Sequence, residues 1–311
     1  MSESPPPPPS PQWSLASLAG NAVQFLRLPV IASSGLAALA SGLLYFKQNE
    51  LIYPRNVPAD ARTNVPKPPQ FGVTDFEDLQ LPTPDGESLN ALFIRPENKR
   101  RTHALTVLMF HGNAGNIGHR IPIAKVLVEI LGCNVLMLEY RGYGLSTGSP
   151  DENGLNIDAQ TGLDYIRHRP ETRDTKILVY GQSLGGAVAI NLVAKNEKHG
   201  DIAGLIVENT FLGIRKLIPS VLPPARYLAR LCHQQWASED VIPKIENVPI
   251  LFLSGLKDEL VPPSHMSELY ARCKSTTKVW RELPNGGHND TVAEPNYFEY
   301  IHCFVMEHVL D

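Results

Sequence analysis

The chain has 311 residues, 43% of them hydrophobic and 19% charged, with a formal net charge of -4 at pH 7. That composition is globular, long enough for one large domain with an appendage, and it excludes a fibrous or wholly disordered chain. Without a basic excess there is no support for a nucleic-acid partner. The four cysteines, Cys133, Cys232, Cys273 and Cys303, form no CxxC pair and read as buried free thiols rather than a zinc site or a disulfide scaffold.

Residues 1–27 include a run of prolines at 5–9 and read as an extended, disordered tail. Residues 28–46 carry no charge and lie between Arg27 and Lys47, close to the about 20 apolar residues a helix needs to cross a bilayer. Pro29, Gly35, Gly42 and several serines dilute the run, but the stretch is expected to be a transmembrane helix, with a docked or amphipathic helix as the alternative. A cleaved signal peptide fits less well, because a long proline-rich leader with no early basic residue comes first. Lys47, Arg55 and Arg62 outnumber Arg27, so the positive-inside rule places the following domain in the cytosol.

Residues 47–70 hold Pro54, Pro58, Pro66, Pro68 and Pro69 and are expected to be an extended linker, either a tether or a wrap around the domain. Residues 73–81 and 87–95 alternate apolar and polar side chains around a Pro-Asp-Gly turn, the pattern of an antiparallel hairpin. A continuous apolar run at 104–110 suits a strand covered on both faces, followed by His111-Gly112-Asn113-Ala114-Gly115-Asn116. A helix over 117–131, with Pro122 in its first turns, and a strand over 134–139 come next.

Helices at 157–168 and 184–195 then alternate with strands at 176–180 and 202–208. The remainder, 249–255, 264–273, 278–283 and 295–309, reads as strand, helix, strand and closing helix. This alternation predicts an α/β domain over 71–311, a mostly parallel sheet with helices on both faces. Residues 211–245 are too long for a plain crossover and rich in Leu, Ile, Pro and aromatic residues, so a small helical cap over the carboxyl edge of the sheet is expected there.

The chemistry gathers at Gly181-Gln182-Ser183-Leu184-Gly185, a Gly-x-Ser-x-Gly pattern between a buried strand and a good helix. Such a nucleophile elbow projects the serine oxygen from a strained turn, so Ser183 is the candidate nucleophile and is expected to stand exposed. Serine needs a base, and of the ten histidines His288 has the context, a glycine-rich loop after the last predicted strand. Asp258, just beyond the strand at 249–255, is the candidate acid that orients His288; Glu259 and Glu208 compete for that role. The order Ser183, Asp258, His288 is the α/β-hydrolase order.

An oxyanion formed at the attacked carbonyl needs two backbone N–H donors, assigned to Leu184 and to Asn113, with His111 as a structural side chain of the loop. The glycines after His111 lack the Gly-Lys-Ser/Thr ending of a phosphate-binding loop, and no metal-ligand spacing appears, so no cofactor or metal is expected.

In these positions the chain from about residue 71 onward resembles the α/β-hydrolase superfamily. The resemblance rests on His111-Gly112-Asn113, Arg141-Gly142-Tyr143-Gly144, Gly181 to Gly186, Asp258 with Val261-Pro262, and Gly287-His288. The runs from Phe110 through Arg120 and from Val207 through Phe211 are further similar to the fungal bud-emergence (Bem) hydrolases and the mammalian α/β-hydrolase domain-containing protein 13. That resemblance implies an amino-terminal membrane anchor in a type II arrangement, opposite to the charge-based orientation, and an endoplasmic-reticulum or other endomembrane location.

It also implies a small acyl or lipid ester, or an S-acylated protein, as substrate. The expected function is therefore a membrane-anchored serine hydrolase acting on carboxylic esters or thioesters, with a membrane-associated scaffold and a serine peptidase as rivals. Asn289-Asp290-Thr291 is formally a glycosylation acceptor, but a glycan there would obstruct His288.

Overall fold

The computed structural model describes residue 4, residues 15–97 and residues 104–311, with the backbone alone at residues 15–30, 37, 40 and 44. It divides into two units, Met1–Gln48 and Asn49–Asp311. The first holds most of a single long helix, α1 (Leu15–Ile52), which begins inside the stretch expected to be a disordered tail. The proline run at 5–9 lies outside the described residues. Among the described residues no helix is long and apolar enough to cross a membrane, so the transmembrane helix expected over 28–46 is not found there. Several positions of that stretch fall outside the described side chains, and the rest includes Ser33, Ser34, Gly35, Ser41 and Gly42.

The second unit is built on an eight-stranded sheet: β1 (Phe76–Pro82), β2 (Ser88–Ile94), β3 (Leu105–Phe110), β4 (Asn134–Leu138), β5 (Lys176–Gln182), β6 (Ile202–Glu208), β7 (Ile250–Gly255) and β8 (Lys278–Leu283). The spatial order is β1-β2-β4-β3-β5-β6-β7-β8. The first hairpin is antiparallel, with Leu79 opposite Ala91, and β2 also meets β4 antiparallel. All remaining pairs are parallel. In β2 the side chains alternate between two cores, Ala91 and Phe93 facing one and Leu92 and Ile94 the other.

The first core is completed by α3 (Glu152–His168), α4 (Leu184–Asn196) and α7 (Pro263–Arg272), the second by α2 (Ile121–Leu131) and α8 (Tyr297–Val305). With apolar side chains on both faces, β3 and β7 are buried from end to end and β4 and β6 at all but one position each, which is why they read as hydrophobic runs.

Two boundaries differ from expectation. Helix α3 starts at Glu152, earlier than expected, because the Asp151 carboxylate accepts the Gly154 N–H at 2.8 Å and caps a first turn that polar residues and a glycine disguise. Helix α2 starts at Ile121, after a 3-10 turn at Ile117–Arg120, since Pro122 is tolerated only in the first turn of an α-helix.

The cap is also smaller than 211–245. Only α5 (Ile214–Val221) and the 3-10 segment Pro223–Leu231 present mostly exposed or half-buried side chains, whereas Trp236, Ile242 and Ile245, flanking the short α6 (Ser238–Val241), are wholly buried in the main core. Residues 53–66 wrap onto the domain, with Tyr53, Ala61 and Val65 buried. Tyr53 Oη donates to Gln234 Oε1 and accepts the Trp236 Nε1–H, both at 2.8 Å.

Candidate active site

The chain steps from β3 outward to β4 and then returns to the other side of β3 as β5. Loops leaving the carboxyl ends of β3 and β5 therefore diverge and leave a crevice between them, the usual ligand position in an open α/β sheet. Asn113 follows β3 there and Ser183 follows β5, with Phe110 paired to Gly181 at the strand ends. Asp258 and His288 follow β7 and β8 at the same edge.

Ser183 occupies a strained conformation, φ 54° and ψ -118°, between β5 and α4. The turn closes only because its neighbours lack side chains. A Cβ on Gly181 would overlap the carbonyl of Gly185, and one on Gly185 would overlap the carbonyl of Phe110. The Ser183 N–H donates to the Glu208 carbonyl at 2.8 Å, and its own carbonyl accepts the Thr210 hydroxyl at 2.7 Å. Ser183 is only 7% exposed instead of standing open as expected; Gly112 of the β3 loop and the ring of His288 crowd it.

The three residues singled out from the sequence meet in one line. His288 Nε2 lies 3.0 Å from Ser183 Oγ, and His288 Nδ1 lies 2.8 Å from Asp258 Oδ2. The other carboxylate oxygen of Asp258 accepts the N–H groups of Leu260 at 2.9 Å and Val261 at 2.8 Å, which fixes the carboxylate plane. Both rival acids have other work. Glu259 accepts the backbone N–H of His288 at 3.2 Å. Glu208 is surrounded by the hydroxyls of Tyr180, Tyr297 and Thr291. Burial, reinforced by the Glu208 charge, holds both phenols well above their ordinary pKa, so they remain protonated donors.

Both expected oxyanion donors sit at this end of the sheet, and among the described residues no acceptor stands at the N–H of Asn113 or Leu184. The Asn113 side chain is pinned: its Nδ2 donates to the Ile52 carbonyl and its Oδ1 accepts the Tyr143 hydroxyl at 2.7 Å. His111 is tied to the loop through Nδ1, 2.7 Å from the Gly112 carbonyl, while its Nε2 lies 2.9 Å from Glu139 Oε1 without hydrogen-bond geometry. Among the described residues no group of His, Cys, Asp and Glu could hold a metal ion.

A family model described as serine aminopeptidase, S33, matches residues 101–245. Protein bem46 of Schizosaccharomyces pombe is 44% identical over 292 residues, covering 94% of this chain and 96% of that protein. The chain belongs to the Bem46 family of α/β-hydrolases. An uncharacterized membrane protein of Saccharomyces cerevisiae is 41% identical, covering 88% of this chain and 95% of that one. Among solved structures, an esterase of Pyrococcus furiosus superposes with a TM-score of 0.64 at 19% identity, covering 78% of this chain and 96% of that one, a likeness of fold.

Sequence reasoning missed the residues that hold the Bem46-family loop bearing His288. Gln182 Nε2 donates to the His288 carbonyl at 3.0 Å, and Asn209 Nδ2 donates to the carbonyls of Gly287 and His288 at 3.0 and 3.2 Å. The Asn209 Oδ1 in turn accepts the Gly255 N–H at 2.8 Å, tying together the loops after β6, β7 and β8. The available signals were the x of Gly-x-Ser and the Glu208-Asn209-Thr210 run, which carried the family resemblance without a physical role attached to it.

Proposed function

We propose that this hydrolase works through an acyl-enzyme on Ser183 and cleaves carboxylic esters or thioesters. The carrying observation is the hydrogen-bonded line from Ser183 Oγ through His288 to Asp258. His288 Nε2 accepts the hydroxyl proton as Oγ bonds to the substrate carbonyl carbon. The negative charge that forms on the carbonyl oxygen is received by the N–H groups of Asn113 and Leu184, each donor worth about 3 kcal/mol. Imidazolium then gives its proton to the departing alcohol or thiol as that bond breaks, and a water repeats the sequence to release the acid. Asp258 keeps the His288 proton on Nδ1 and stabilises the imidazolium.

Lipid-like acyl substrates are favoured by the side chains of Val221, Leu222, Tyr227 and Leu231, which leave apolar surface exposed on the cap. Membrane attachment through α1 belongs to the same reading. It is supported by the uncharged stretch at 28–46, by the exposed Leu36, Leu39, Leu43 and Phe46, and by the name of the yeast relative. An acyl group on a membrane lipid or on a membrane-bound protein is the substrate such attachment serves, since each CH₂ kept in the bilayer is worth about 0.8 kcal/mol. The family model named for an aminopeptidase favours a second reading, peptide-bond cleavage by the same three residues.

The test is labelling by a fluorophosphonate probe, combined with turnover of esters, thioesters and aminoacyl amides of graded acyl length. Labelling is expected in the native enzyme and absent in Ser183→Ala, with turnover lower by roughly four to six orders of magnitude. Preference for aminoacyl amides would select the peptidase reading, and undiminished turnover in Ser183→Ala would remove the acyl-enzyme.

A further inference from the structure

Arg120 closes the run from Phe110 through Arg120 and has no part in the mechanism above. It is half-buried, and its Nε is buried without a hydrogen-bond partner. Among the described residues no carboxylate pairs with its guanidinium and no carbonyl accepts from it. Its location is fixed by Gly112. The point where a Cβ of Gly112 would stand is 3.7 Å from Arg120 Nη2, 3.7 Å from Ser183 Cβ and 3.7 Å from Gln182 Oε1. One methyl group placed at Gly112 would thus touch both the guanidinium and the nucleophilic residue.

A guanidinium taken partly out of water with no counter-charge is costly, and such groups are normally paired. Among the described residues the site's carboxylates are turned to other groups and none pairs with Arg120: Asp258 to His288, Glu259 to the His288 N–H, Glu208 to three hydroxyls, and Glu139 through Oε2 to the Ile117 N–H, with its Oε1 2.9 Å from His111 Nε2. Among the described residues the guanidinium has no partner, which leaves its donors available to a bound anion. A planar fork of N–H donors matches a carboxylate or a phosphate, which it binds in two parallel hydrogen bonds.

We propose that Arg120 selects anionic acyl substrates: esters or thioesters that carry a second, unreacting carboxylate or phosphate a few bonds from the scissile carbonyl. The inference rests on the Ser183 hydrolase reading and narrows its substrate class. Anchoring at Arg120 would hold the scissile carbonyl over Ser183 Oγ, while any apolar chain runs toward the cap.

Two matched pairs test it on the full chain. Methyl hexanoate against monomethyl adipate places the anion on the acyl side. Butyryl glycerol against butyryl glycerol 3-phosphate places it on the leaving group. The native enzyme is expected to prefer the anionic member of one pair, and that pair tells which side of the substrate Arg120 reads. In Arg120→Gln the anionic-to-neutral ratio of kcat/KM should fall about 10- to 100-fold, the usual weight of a hydrogen bond to a charged group. Arg120→Lys should recover part of it, keeping the charge without the fork.

Equal rates within both pairs in the native enzyme, or an unchanged ratio in Arg120→Gln, would overturn the proposal while leaving the hydrolase intact. Absence of turnover on all four esters together with absent fluorophosphonate labelling would instead strike the Ser183 reading. If Arg120→Gln fails to fold, protection of native Ser183 from the probe by adipate or by inorganic phosphate decides; protection by neither overturns the proposal.

Discussion

At the scale of single residues the site is governed by what is missing as much as by what is present. Ser183 can hold φ 54° because Gly181 and Gly185 let backbone cross backbone where no Cβ fits. Gly185→Ala is therefore expected to cost at least about 2 kcal/mol, read as a lower midpoint in chemical denaturation, because the obstructing atom is the Phe110 carbonyl and backbone cannot rotate away. This requirement was legible in the sequence, since the motif itself encodes the turn. So were Asp258 and His288, each placed by a strand end and by chain order. Gln182 and Asn209 were not legible in the same way. Their partners lie on loops far away in sequence, and a polar side chain gives no local sign of which distant carbonyl or cavity it faces.

At the scale of elements, periodicity revealed the strands, while polar locking explains how the elements are joined. Arg141 follows β4 and reaches across to α3 and to the β1–β2 turn. Its N–H and Nε donate to the Asp158 carboxylate at 2.8 and 2.9 Å, and Nη1 and Nη2 meet Asp85 at 2.7 and 3.1 Å. Asp158 is wholly buried. Arg141→Leu would leave that carboxylate without its counter-charge and should cost about 3–5 kcal/mol, whereas Arg141→Leu with Asp158→Leu should recover much of the loss, measured as a double-mutant cycle.

Helix α7 carries a titrating contact as well. His265 Nδ1 accepts the Leu212 N–H at 3.3 Å, which only a neutral ring can do. Burial, and next the charge of Lys216, push its pKa below the ordinary histidine value. A depressed folded-state pKa means the unfolded chain takes up the proton first. The stabilisation is full above about pH 6.5, the unfolded value, and fades as pH falls through the folded pKa. Native unfolding midpoints should accordingly drop more steeply between pH 7 and pH 5 than those of His265→Asn, and parallel curves would refute the assignment.

At the scale of the whole molecule, the segment that reads from its prolines as a linker is a structural part of the catalytic unit. Proline spacing excludes a helix over 53–66 but does not say what the extended chain lies against. Here it lies against the loop expected to hold the oxyanion. The Gly115 N–H donates to the Val57 carbonyl at 2.8 Å, and the buried Asn116 side chain donates to the carbonyls of Ala61 and Asn64 at 2.8 and 3.0 Å. Asn113 is bonded to Ile52.

Removing residues 1–48 takes away one compact unit and none of these contacts, so the remaining chain should unfold cooperatively and keep its Ser183 labelling. Removing residues 1–66 uncovers Trp236 and strands the donors of Gly115, Asn116 and Trp236. At about 1–3 kcal/mol for each buried group left unsatisfied, that loss consumes much of a domain's usual 5–15 kcal/mol. The longer truncation is expected to be insoluble or unlabelled. A single Tyr53→Phe, which breaks only the bonds to Gln234 and Trp236, should cost about 1–3 kcal/mol in thermal or denaturant unfolding. If the chain without residues 1–66 folds and labels like the chain without residues 1–48, the wrap is a passive tether and the loop after β3 is held by the sheet alone.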